Sequence, residues 1–150
     1  MATAAEKFRR LLDKDDRYDK EVYNFAFEAL DYTLKNSANR GGDMNRHISP
    51  KELLGGMREY AIGEFGLLAR TVLESWGVRS TNDFGNVVFN LIENCLMGKQ
   101  LNDRRVDFRD FYDFDKAFDV VPVLLYNIKR NEFKVIYLQR DVYGKKKSLR

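Results

Sequence analysis

A 150-residue chain with 44% hydrophobic and 33% charged residues and only two prolines has a globular composition, not a disordered one. The single cysteine, Cys95, excludes an internal disulfide and a multi-cysteine metal centre, and the single histidine, His47, excludes a two-histidine zinc site within one chain, so neither metal nor cofactor is expected. The net charge of +3 sits at the C-terminus, because Arg140–Arg150 hold five basic residues and one acid and residues 1–139 sum to −1.

The opening MATAAEKFRRLL threads charges through its apolar residues, and no later run reaches the 18 or more apolar residues of a membrane span. With the lone cysteine, this leads to the expectation of a cytoplasmic protein with no membrane partner. A short helix is predicted over 3–13. Asp15 or Asp16 can then cap a long helix over 17–35, where Tyr18, Val22, Phe25, Ala26, Ala29, Tyr32 and Thr33 keep helical spacing and Tyr23, Phe27, Leu30 and Leu34 add a second stripe. An apolar arc this wide belongs in the centre of a core. Residues 36–47, NSANRGGDMNRH, read as a polar loop around a Gly-Gly pair.

The next helix announces itself most clearly. Ser49 and Glu52 have capping-box spacing, Pro50 falls on the first helical position, and Ile48 and Leu53 occupy the two positions of a hydrophobic staple. Leu53, Met57, Tyr60 and Ala61 then share a face of a helix over 49–62, with Gly55 and Gly56 marking a close approach or a tolerated weakness. Gly63 and Gly66 suggest a break. Phe65, Leu68, Ala69, Val72, Leu73 and Trp76 form the stripe of a helix over 65–76, which Gly77 ends in a left-handed turn with Val78 against Leu73. Ser80 and Asp83 open a helix over 80–97 whose Phe84, Val87, Val88, Leu91, Ile92, Cys95 and Leu96 face the core, closed by Gly98.

The last third changes character. Aromatic residues and aspartates interleave over 104–119, with Val106 and Phe108 alternating as on a short strand and DFDKAF suggesting one capped turn. VPVLLYNI and FKVIYLQ flank KRNE and read as a hairpin over about 121–139 with Pro122 on an edge. The fold class is therefore mainly α (α+β): about five helices and a C-terminal β-hairpin in one domain, 1–139, followed by a basic tail, 140–150. The helices at 49–62, 65–76 and 80–97, with strands after them, have the order of a winged helix.

Four blocks in order, LDKDDRYDKEVYNFAFEALDYTL, RHISPKELLGGMREYAIGEFGLLARTVLESWGV, STNDFGNVVFNLIENCLMGK and DFRDFYDFDKAF, resemble an uncharacterised conserved bacterial family of the planctomycete and verrucomicrobial lineages over about residues 8–119. The resemblance implies a bacterial cytoplasmic protein and carries no activity, ligand or catalytic residue with it.

Three functional classes remain. The leading one is a non-enzymatic interaction or oligomerising module with a protein partner or a second copy, because Tyr23, Phe27 and Phe89 lie off the main stripes and need covering. The second is nucleic-acid binding, with Arg79, Arg104, Arg105, Lys145, Lys146, Lys147 and Arg150 as contacts. Its weakness is the would-be recognition helix, which from Ser80 to Leu96 has no Lys or Arg and offers Asn82, Asn86, Asn90 and Asn94 instead. The third is an enzyme using His47 as a base, with Asp43 and Arg46 near it in sequence. No phosphate loop, dinucleotide fingerprint or nucleophile motif supports it, and helix initiation explains the neighbouring residues from Ile48 onward. The aspartates at 107, 110, 113, 115 and 119 lack the glycine and closing glutamate of a calcium loop and read as caps and solvated groups.

Overall fold

Helix α1, Ala4–Lys14, begins at Thr3, whose hydroxyl accepts from the Glu6 N–H while Glu6 reaches back to the Thr3 N–H, a capping box not anticipated from the sequence. The computed structural model describes residues 1–39, 47–98 and 104–140. Its elements are α1, α2 (Lys20–Asn39), α3 (Pro50–Phe65), a 3₁₀ turn (Gly66–Leu68), α4 (Ala69–Ser75), α5 (Thr81–Glu93), a second 3₁₀ turn (Arg105–Phe108), the single turn α6 (Phe114–Ala117), and the strands β1 (Val120–Asn127) and β2 (Glu132–Gln139). Helices followed by a two-stranded antiparallel hairpin are the architecture anticipated.

Several boundaries move, each for a local reason. Helix α2 starts three residues later than predicted because Asp19, not Asp15 or Asp16, accepts from the Glu21 N–H at its entry. Its C-terminus runs to Asn39, so the predicted polar loop begins later. Helix α3 passes through Gly63 and ends at Gly66, which has φ +56°. A Cβ at Gly66 would also collide with the Tyr137 ring from β2, so conformation and packing both require glycine there. The intervening 3₁₀ turn shifts the helical phase, and Leu68, expected in the core stripe, is 62% exposed beside Leu67. Helix α5 stops at Glu93, with Cys95 just beyond at φ +56°. Cys95 is therefore exposed and not the core residue its spacing suggested. Val106 and Phe108 lie on a 3₁₀ turn, not a strand, because the Asp107 carboxylate turns back to the Arg104 N–H.

The core lies where α2, α3, α4 and α5 meet. Phe25 of α2 is its hub, touching the rings of Tyr60, Phe65, Trp76 and Phe84 at centroid separations of 5.7 to 6.5 Å. Helices α2 and α3 approach so closely at Gly56 that a Cβ there would overlap the Thr33 side chain, which accounts for one of the paired glycines; Gly55 faces open space. Gly77, at φ +94°, ends α4 as predicted: the Val78 N–H donates to the Leu73 carbonyl at 2.9 Å and both side chains are fully buried. The segment 104–119 is stitched down by Tyr112 Oη donating to the Leu54 carbonyl and by Arg58 Nε donating to the Ala117 carbonyl. At the hairpin's base Val120 is buried, and Arg140 N donates to the Asp119 carbonyl.

Candidate functional site

The capping physics around His47 is as read. The Ser49 hydroxyl accepts from the Glu52 N–H at 3.2 Å, Pro50 is the first helical residue, and Ile48 and Leu53 are buried. His47 itself is exposed. Asp43 and Arg46, the residues named with it, lie outside the described residues. Lys145, Lys146, Lys147 and Arg150 lie outside the described residues as well.

The remaining arginines each stand beside acids. Arg105 pairs with Glu93 at 2.9 Å and covers the Phe89 ring, and Arg104 pairs with Asp107 at 3.5 Å. Arg79 rims a small cavity of about 250 Å³ together with Asp110 and Asp113. The asparagine face of α5, the candidate reader of bases, is turned to internal use. Asn86 Nδ2 donates to Tyr18 Oη at 3.0 Å, Asn90 Nδ2 donates to Asp15 at 2.9 Å and to Tyr23 Oη at 3.2 Å, Asn94 donates to the Asn90 carbonyl, and Asn82 accepts from the Asp110 N–H. These bonds tie α5 to the α1–α2 connection and to the 104–119 segment. The second 3₁₀ turn and α6 lie between α5 and the hairpin in the chain.

The bonds of Asn90 and Asn94 border a polar cleft, a space of about 450 Å³ among Asp15, Arg17, Asn90, Glu93 and Arg105. Arg17 grips Asp15 through Nε at 2.9 Å and a terminal nitrogen at 2.7 Å. That grip, helped by Asn90, holds the Asp15 carboxyl well below the usual range and raises the Arg17 guanidinium. Tyr18 donates to Asp83 at 2.6 Å, and burial with this bond pushes its phenol up to about 12. Burial likewise raises Tyr23 and Tyr112. Among the described residues no three His, Cys, Asp or Glu side chains are grouped to hold a metal ion, and no helix is long and apolar enough to cross a membrane.

The uncovered apolar surface is elsewhere than anticipated. Tyr23 is fully buried under Phe8 of α1, and Phe89 packs edge-on against Phe108; only Phe27 stays 39% exposed. Beside Leu67 and Leu68 of the first 3₁₀ turn, exposed apolar side chains gather on the hairpin, where every residue from Leu124 to Val135 is exposed. Leu124, Phe133 and Ile128 are 63%, 67% and 82% exposed, and Leu125, Tyr126 and Val135 are close to half exposed. One signal in the sequence pointed here. VVPVLLY is apolar at successive positions and FKVIYL at every position but Lys134, so both faces of the ribbon carry apolar side chains, and a two-stranded ribbon at the end of a domain can cover only one. No protein-family model, no curated protein and no solved structure matches this chain.

Proposed function

We propose that this chain is a non-enzymatic cytoplasmic interaction module whose helical body displays the C-terminal hairpin to a protein partner. The observation that carries this reading is the run of exposed residues from Leu124 to Val135 with its six large apolar side chains. Exposed apolar residues scattered singly are ordinary, but a contiguous set on a projecting ribbon with unpaired edges marks a contact surface. Burying the exposed half of one such side chain gains roughly 1 kcal/mol. Lys129, Arg130 and Lys134 against the single acid Glu132 give the ribbon a positive charge around its apolar side chains.

The test is affinity purification from the native host of the wild-type chain and of a Leu124→Ser/Phe133→Ser variant. A protein recovered in stoichiometric amount with the first and lost with the second supports the reading, provided both melt cooperatively. Equal recovery with both overturns it. Nucleic-acid binding has less to draw on, since Arg104 and Arg105 are already ion-paired.

A further inference from the structure

The hydrogen-bond phase of the hairpin fixes which backbone groups point away from it. Asp119 and Arg140 continue the register in which Val120 faces Gln139 and Pro122 faces Tyr137, and the Arg140 N–H donates to the Asp119 carbonyl. In an antiparallel ladder bonded and non-bonded pairs alternate. The pairs Pro122–Tyr137, Leu124–Val135 and Tyr126–Phe133 are therefore non-bonded, with the N–H and C=O of each residue directed outward. Pro122, which has no N–H to give, occupies one of these outward positions, as a proline in a continuous strand must. The outer edge of β1 thus lacks a donor near its base. The outer edge of β2 is complete, offering the N–H and C=O of Phe133, Val135 and Tyr137.

That edge borders a groove. Lys134, Val135, Ile136 and Tyr137, consecutive residues whose side chains alternate between the two faces, form one bank; Arg58, Glu59 and Ile62 of α3 form the other, around a space of about 420 Å³. Four consecutive strand residues reach this one space, as an open backbone edge allows. Gly63, with open space where a Cβ would stand, leaves the α3 bank low.

Resting on the reading of the hairpin as the contact surface, we infer that its partner is a second copy of this chain, joined β2 to β2 about a two-fold axis at Val135 into a four-stranded antiparallel sheet. The outward-facing residue at the centre of the edge is Val135; an axis one residue earlier would set Lys134 directly against the partner's Lys134, a like-charge pair. The partner strand then sets Phe133 against the partner's Tyr137 twice and Val135 against itself, an apolar ladder on a single face. Charge does not oppose the contact: the incoming strand carries Glu132 and Lys134 and the α3 bank holds Arg58 and Glu59, one charge of each sign on either side. A two-stranded ribbon is marginal by itself, and a four-stranded sheet is the smallest symmetric assembly that relieves it.

The experiment uses the full-length chain. Light scattering at tens of micromolar gives twice the chain mass for the wild type and the chain mass for Val135→Pro, which deletes one outward N–H just as Pro122 does on the other strand and leaves the internal ladder intact. In a Cys95→Ser background, Val135→Cys forms a covalent dimer on mild oxidation, because a bonded antiparallel pair sets its Cα atoms about 5.5 Å apart; Phe133→Cys does not. If Val135→Pro melts without cooperativity, the cysteine pair decides alone. A monomeric wild type overturns the inference while leaving the hairpin reading to stand or fall on the host purification. A dimer that persists in Val135→Pro, or that cross-links at residue 133 and not at 135, overturns it too.

Discussion

Cys95 shows how much a single residue can mislead a periodic reading. Its spacing from Val88 and Leu91 puts it on the core stripe, yet the chain turns left-handed there: the Leu96 N–H donates to the Leu91 carbonyl at 2.9 Å and the Cys95 N–H to the Ile92 carbonyl at 3.0 Å. This is the same helix ending that Gly77 makes, built with a residue that carries a Cβ. A left-handed residue with a Cβ costs roughly 1–2 kcal/mol, and glycine returns part of any gain as unfolded-chain entropy. Cys95→Gly should therefore raise stability by about 0.5–1 kcal/mol, read as a higher urea midpoint with unchanged slope. A lower midpoint would show that the thiol makes a compensating contact. Tyr18 gives a prediction with a pH sign. Its folded-state value of about 12 lies above the ordinary 10, so the fold favours the protonated phenol. Its contribution is complete below pH 10 and is lost as pH rises towards 12. Tyr18→Phe should cost about 1–2 kcal/mol at pH 7 by stripping Asp83 and Asn86 of a partner, and should flatten the alkaline decline of the urea midpoint. An unchanged decline would assign that loss to Tyr23 or Tyr112.

Among the elements, legibility followed how local the cause was. The start of α3 and the end of α4 were readable because the whole cap lies within six residues, Ile48 to Leu53 in one case and Leu73 to Val78 in the other. Ser49→Ala should accordingly cost about 1 kcal/mol, measured by thermal melting; no change would mean that Pro50 and the Ile48–Leu53 contact set the boundary unaided. The asparagine stripe of α5 was not readable, since polar residues at helical spacing look like a solvated face. Their partners, Asp15, Tyr18 and Tyr23, lie some 67 to 75 positions earlier, beyond the reach of any local period. Asn90→Ala should cost about 2 kcal/mol, because it unpairs groups at Asp15 and Tyr23 together. Asn24→Ala, on the exposed side of α2, should stay within about 0.5 kcal/mol. Equal effects in urea unfolding would contradict the bridging role given to Asn90.

At the scale of the whole molecule the hydrophobic residues divide into two populations that composition cannot separate. Phe25 sits among four rings from three neighbouring segments, whereas Phe133 is two-thirds exposed on the ribbon. Fold class was readable because each element carries its own period. The candidate surface was harder to locate because exposure depends on how far the hairpin extends past the body, which is set by the anchoring of Val120 and Tyr137 at its base. If the body folds on its own core and the ribbon is reserved for contact, the two phenylalanines should respond oppositely. Phe25→Ala should cost about 3–5 kcal/mol and lower the midpoint of a urea melt measured far below the dissociation concentration. Phe133→Ser should leave that midpoint within about 0.5 kcal/mol, yet abolish the concentration dependence of the wild-type melt that association would impose. A large loss of stability from Phe133→Ser under dilute conditions would mean instead that the distal hairpin belongs to the core, and the surface assigned to partners would have to be sought on the helices.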